Sequence, residues 1–207
     1  MQIYKDMNIG TAKVLKEEMQ GIKHYMLDII SPEERYSVSN FKKQAECCIE
    51  EILKKGKTPI ICGGTGLYIN SLIYGIEFAN EEIDLEYRNY LDEIAQKEGL
   101  ENLYIKALEI DPEATNKISK NDKKRIIRIL EIYHKTGKTK TERDLESRKN
   151  EVKYDYEVFG INMDRQILYD RINRRVDIML KQGLIEEVKS ILKKYNTFPT
   201  SMQGLRI

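Results

Sequence analysis

Apolar positions along this chain follow two different periods. Phe41, Ala45, Cys48, Ile49 and Ile52 recur at helical spacing and predict a helix that begins at a cap on Ser37 or Ser39 and ends at Gly56. Leu67, Leu72 and Ile73 share one face of a second helix, which follows the glycine turn at 63–66. Longer amphipathic helices are predicted over 85–99, 100–110 and 122–136, the last closing at Gly137 as a helix C-terminus should. Another runs from Asp164, is interrupted at Gly183 and continues to Tyr195. Between these, the short continuous run at 57–62 predicts a strand buried on both faces of a parallel sheet, and 24–30 and 156–162 are further candidate strands. A helix between two such strands is the crossover of a parallel sheet.

The pattern therefore predicts an α/β fold: a parallel-sheet core built from 1–80 and 153–207, with a helical domain inserted over 81–152. No internal repeat or low-complexity stretch interrupts it. The 207 residues are 33% charged, with a mean hydropathy of −0.57. No apolar run approaches the roughly 20 residues that cross a bilayer, and no secretory signal is evident, so a cytoplasmic protein with no membrane partner is expected. Cys47, Cys48 and Cys62 have neither disulfide nor metal spacing and read as core or half-buried thiols.

Net charge is only +1, which argues against a general coat for nucleic acid, but its distribution is uneven. Residues 77–113 carry 12 acidic against 3 basic side chains, and residues 117–149 carry 12 basic against 5 acidic. Such a switch suggests one face that repels polyanions beside one that collects them. Solvated helical faces would give the same composition.

Three basic clusters are candidates for chemistry. In "NDKKRIIRILEIYHKTGKT" the buried stripe is expected at Ile126, Ile129, Leu130 and Tyr133, leaving Lys124, Arg125 and Arg128 close together beside it. Like charges so placed repel, and an anionic partner such as a phosphate backbone removes the repulsion. In "MDRQILYDRINRRVD" a core stripe of Leu168, Ile172, Val176 and Met179 is flanked by Arg171 and Arg175, one turn apart and able to clamp a phosphate or to pair with Asp170, Asp177 or Glu186. Arg88 stands alone in an acidic helix, where a local salt bridge is the simpler reading. The turn Gly63-Gly64-Thr65-Gly66 has the strand–turn–helix setting of a phosphate cradle, but lacks the lysine of G-x-x-x-x-G-K-[ST], which occurs nowhere in the sequence.

Several stretches together narrow the choice. "MQIYKDMNIGTAK", "YMLDIISPEERYSVSNF", "GGTGLYINSLIYG", "ISKNDKKRIIRILEIYHKTGKT" and "DRQILYDRINRRVDIML" occur in this order, and the chain from residue 1 to the closing "TSMQGLRI" resembles the tRNA dimethylallyltransferases, or tRNA isopentenyltransferases. The resemblance implies a P-loop-NTPase-like α/β core with a helical insertion, hence nucleotide (ATP) binding. It also implies transfer of a dimethylallyl group from dimethylallyl diphosphate to the exocyclic amine of the adenosine 3′ of the anticodon, with Mg²⁺ assisting the diphosphate. The adenosine would be flipped from the anticodon stack into a channel through the core. Partners implied are the tRNA anticodon stem–loop and dimethylallyl diphosphate, with a monomer as the intact form.

Residue by residue, Gln2 matches the glutamine of an Asp-Ser-x-Gln element at the target adenosine, and Thr65 the threonine of a Gly-Gly-Thr loop at the same base. The glycine turn then resembles a wall of the base channel instead of a phosphate cradle. Lys124, Arg125 and Arg128 match a Gln/Lys-Arg-x-x-Arg element that grips the anticodon stem–loop. Arg88 matches an arginine that touches the tRNA, and Arg175 one that stabilises the diphosphate leaving group, with Arg171 beside it. The sequence departs from the pattern in opening at Met1-Gln2, two residues after the place of the basic aspartate, and in having no P-loop lysine. The expectation is a chain truncated at both ends whose catalysis, without cradle and base, is very weak. Two alternatives stand beside it: an RNA-binding module without chemistry, and a transferase acting on free adenine nucleotides.

Overall fold

The computed structural model describes residues 1–78, 84–149, 151–195 and 201–202. Among them the helices are α1 (Val38–Lys54), α2 (Gly66–Ile73), α3 (Leu85–Lys97), α4 (Leu100–Ile110), α5 (Pro112–Asn116), α6 (Lys123–Thr136), α7 (Lys140–Glu146), α8 (Arg165–Lys181) and α9 (Leu184–Lys194). The chain divides into two compact units, residues 64–155 and residues 1–63 with 156–207.

Helix ends sit where capping chemistry requires them. The Ser37 hydroxyl accepts the Asn40 N–H to start α1, Asp84 accepts the Tyr87 N–H to start α3, and Asp122 accepts the Arg125 N–H to start α6. Gly137 closes α6 in the left-handed conformation, φ 68°, that a side chain disfavours. Two short helices escape the periodicity: α5, whose N-cap is Asp111, and α7, whose capping box joins Thr139 and Glu142.

Unit 64–155 is held by α3, α4 and α6. Leu103, Ala107 and Ile126 are fully buried, packed with Leu91, Ile129 and Leu130. Each such Leu or Ile contributes about 1.5–3 kcal/mol relative to exposure. The Tyr87 ring of α3 stacks on the His134 ring of α6 at 3.8 Å. Asp111 is buried and fastens the two short helices, accepting from the Ala114 N–H, the Thr141 N–H and the Thr141 hydroxyl at 2.7–3.0 Å. The expected stripe of α6 is corrected at one position: Tyr133 is exposed, while Ile127 and Ile132 are buried instead.

Residues 1–63 with 156–207 have a smaller core of Met7, Ile191, Tyr195 and Met202, and α1 buries Ala45 and Ile49. A carboxylate fixes the N-terminal loop, since Glu187 on α9 accepts the N–H groups of Asn8, Ile9 and Gly10 at 2.8–3.0 Å. Three successive N–H groups converging on one anion form a backbone nest.

The parallel sheet is not formed among the described residues. A strand satisfies half its backbone through a neighbour, and residues 58–62 and 157–162 make no backbone–backbone hydrogen bond there. Their apolar side chains stand in solvent, Ile60 at 88%, Phe159 at 85% and Ile161 at 95% exposure. In the run 24–30, Met26 and Asp28 have positive φ, which breaks the extended backbone, and what persists is one parallel bridge from Ile30 to Tyr4. The stripe expected on α8 is likewise corrected: no residue of that helix is buried, and Leu168, Ile172 and Val176 are 41–47% exposed. Of the cysteines, Cys48 is half-buried as expected, whereas Cys47 and Cys62 are exposed.

Candidate functional site

The expected basic cluster of unit 64–155 is organised by a carboxylate. Glu131 lies on the buried side of α6 with 2% of its side chain exposed. Arg88, reaching from α3, donates through Nε to Oε1 and through Nη2 to Oε2, both at 2.8 Å. Arg128, one turn before Glu131 on α6, donates through Nη1 to Oε2 at 2.7 Å, and the Asp84 N–H approaches Oε1 at 3.3 Å. Burial alone would push the Glu131 carboxyl up, but the hydrogen bonds from Arg88 and Arg128 outweigh it and hold the group below the usual range.

A carboxylate between two guanidinium groups does more than neutralise one of them. It fixes both forks in orientation, while a third or more of each arginine side chain, 33% for Arg88 and 41% for Arg128, stays exposed. The salt bridge of Arg88 thus runs to α6, not to an acid on its own helix. Arg125 is 70% exposed and pairs with the capping Asp122 carboxylate at 3.1 Å. Lys124 is exposed. The repulsion expected among these cations is offset by Glu131 and Asp122, so the cluster persists without an anion and still presents oriented donors to one.

The remaining sequence-predicted residues are arranged differently. Thr65 precedes α2 as its N-cap residue, makes no capping hydrogen bond and is exposed, and a Cβ added at Gly63, Gly64 or Gly66 would meet nothing within 4 Å. The glycine turn is open and can accept a flat ligand against its backbone. Gln2 donates from Nε2 to the Thr11 and Ala12 carbonyls at 3.1 and 3.0 Å, which steadies the loop that Glu187 holds. Arg171 and Arg175 are exposed on α8, and no ion pair to Asp170, Asp177 or Glu186 is made among the described residues. They remain available to an anion. Among the described residues no group of three or more His, Cys, Asp or Glu side chains could hold a metal ion, so Mg²⁺ has no protein ligand set there. No helix among them is long and apolar enough to cross a membrane.

Two carboxylates escaped the sequence reading. Glu131 interrupts an apolar run three residues after Arg128, a weak signal that a buried cation partner stands nearby. Glu187 gives no signal, because its partners are backbone groups some 180 residues earlier in the chain.

The chain as a whole is similar to proteins of known kind. The chain is 50% identical over 206 residues to the tRNA dimethylallyltransferase of Acetivibrio thermocellus, covering 99% of this chain and 66% of that protein. It is 48% identical over 194 residues to the tRNA dimethylallyltransferase of Bacillus cereus, covering 94% of this chain and 61% of the relative. It thus spans just under two thirds of the length of these curated relatives. Among solved structures it resembles the full-length tRNA isopentenylpyrophosphate transferase of Bacillus halodurans, 38% identical, with a TM-score of 0.62 over 98% of this chain and 62% of that one. It also resembles a eukaryotic dimethylallyltransferase acting on tRNA, 31% identical, with a TM-score of 0.74 over 96% of this chain and 49% of that one. The IPP transferase family model matches residues 2–207, and the chain belongs to that family.

Proposed function

We propose that this chain acts as a tRNA dimethylallyltransferase, moving a dimethylallyl group from dimethylallyl diphosphate to the exocyclic amine of the adenosine 3′ of the anticodon. The observation that carries the reading is the pair of guanidinium groups, Arg88 and Arg128, oriented by a buried Glu131 beside exposed Lys124 and Arg125. A mononucleotide needs no such second surface, whereas an RNA backbone does. Residues 81–152 are the RNA-gripping domain in this reading. Gln2 and Thr65 meet the adenosine, and Arg171 and Arg175 meet the diphosphate. As the amine nitrogen bonds to the allylic carbon, the bond from that carbon to the diphosphate oxygen breaks, its electron pair leaves with the diphosphate, and the nitrogen passes a proton to solvent water. Arg175 and Arg171 stabilise the charge that develops on the departing diphosphate. Mg²⁺, with no ligand set among the described residues, would be carried by the diphosphate itself.

The segments 57–62 and 156–162 are strands of a P-loop-like parallel sheet in this reading. Their β-branched, apolar composition supports it, as does the similarity of the chain to tRNA prenyltransferases of known structure.

Offering the protein labelled dimethylallyl diphosphate with an anticodon stem–loop or with AMP tests the assignment. Slow labelling of the stem–loop adenosine and none of AMP is expected, slower still in Arg175→Ala. Label on AMP alone would make the acceptor a free nucleotide. Label on neither, with stem–loop binding retained, would leave an RNA-binding module without chemistry.

A further inference from the structure

Unit 64–155 contains a cleft of about 470 Å³ walled by α5, α6 and α7, and the Lys/Arg-rich element of α6 forms only one side of it. Arg125 and Arg128 reach it from α6, Lys117 from the end of α5, and Lys140 and Arg148 from α7 and the turn that follows. Two acids also line it, and both are already engaged: Glu113 with Lys117 at 2.7 Å, and Asp144 with Lys140. Arg128 is held by Glu131 and Arg125 by Asp122. Arg148 is exposed and makes no side-chain hydrogen bond or ion pair among the described residues. The floor between these cations is apolar, made by Ala114, Ile118 and Ile129.

A basic rim over an apolar floor is the chemistry of a nucleotide-sized groove. Phosphate oxygens take the guanidinium forks and the sugar lies on the aliphatic surface. The cleft is lined by five cations, Lys117, Arg125, Arg128, Lys140 and Arg148, against two acids, Glu113 and Asp144, so an anion is favoured there.

We infer that this cleft holds the phosphodiester backbone of the same RNA, with Arg148 as a second anchoring residue beyond the α6 element. Binding then spans two helices, α6 and α7. The inference rests on the RNA-gripping reading and extends it to residues outside the Lys-Arg-x-x-Arg element.

Titrating anticodon stem–loop RNA against the full chain over a salt series tests it, with Arg148→Ala, Arg125→Ala and, as a control for loss of any positive charge, Lys106→Ala on the exposed side of α4. Circular dichroism melts confirm that each variant is folded. Loss of one phosphate contact lowers the slope of log affinity against log salt by roughly 0.7–0.9 and weakens binding roughly fivefold at 0.1 M salt. Arg148→Ala and Arg125→Ala are each expected to show this, Arg148→Lys to recover most of it, and Lys106→Ala to show neither change. If Arg125→Ala weakens binding while Arg148→Ala matches Lys106→Ala, the cleft inference falls and the RNA reading stands. If neither arginine variant differs from the parent, or the parent does not bind, both fall. Millimolar inorganic diphosphate is the last arm. If it binds the parent through Arg148 but leaves RNA affinity unchanged, the cleft is a site for a free anion and the inference is overturned.

Discussion

The unit formed by 1–63 with 156–207 has more apolar sequence than unit 64–155, 50 of 115 residues against 34 of 92, yet the two bury it to different degrees. In unit 64–155, α3, α4 and α6 interlock around Leu103, Ala107 and Ile126. In the other, Ile60, Phe159 and Ile161 stand in solvent and α8 buries nothing. The difference lies in where backbone hydrogen bonds come from. A helix satisfies its own N–H and C=O groups, so an amphipathic helix needs only an apolar neighbour. A strand takes its partners from another strand, and without one its side chains have no surface on which to pack.

The contrast can be broken most directly in the helical core. Leu103→Ala is expected to destabilise unit 64–155 by about 3 kcal/mol, read from thermal or denaturant melts. A cost below about 1 kcal/mol would mean the core is as loose as the other unit. Glu131→Gln comes next. It leaves Arg88 and Arg128 facing a neutral amide and should cost about 2 kcal/mol, less than a fully buried pair because both arginines are partly exposed.

Acid sharpens the same point. The Glu131 pKa lies below its ordinary 4.5 despite the opposing effect of burial. For Asp111, burial again opposes, but hydrogen bonds from Ala114 and Thr141 hold the group below its ordinary 3.8. A pKa lower in the folded than in the unfolded protein gives stability that is complete above the ordinary value and is lost as pH falls through the folded one. Melts of the parent should therefore weaken below about pH 4.5, and those of Glu131→Gln should weaken less. The smallest effect belongs to α8. Ile172→Ser should change stability by less than about 0.5 kcal/mol, and a loss like that of Leu103→Ala would show that the face is covered in solution.

Local chemistry was the part of the fold that could be read from sequence. The span of α4, a cap on Ser37 or Ser39, of which the structure selects Ser37 for α1, the helical run over 122–136 and its stop at Gly137 are decided by neighbours within one turn, and all were visible. The helices α5 and α7 were not, because five and seven residues are too few to express a period, although Asp111-Pro112 and Thr139-x-x-Glu142 are start signals. The strands were legible only as permitted segments, since an apolar β-branched run does not name its partner, and the sheet is not formed among the described residues. At the candidate site Lys124, Arg125 and Arg128 were legible from charge clustering, whereas Arg88 stands alone in an acidic helix. The organiser of these cations was not legible, because Glu131 and Arg88 are 43 residues apart and only the packing of α3 on α6 brings them together.

In the proposed reading Lys124, Arg125 and Arg128 on α6 grip an RNA backbone together with Arg88 of α3, and binding of an anticodon stem–loop to the parent chain and to Arg125→Glu across a salt series is the decisive experiment. Arg125 is chosen because its side chain lies outside the Glu131 clamp, so the fold survives its loss. The account predicts that parent affinity falls steeply as salt rises, and that Arg125→Glu binds roughly tenfold more weakly at low salt with a shallower slope. Affinity that ignores salt, or equal binding by the two proteins, would contradict it.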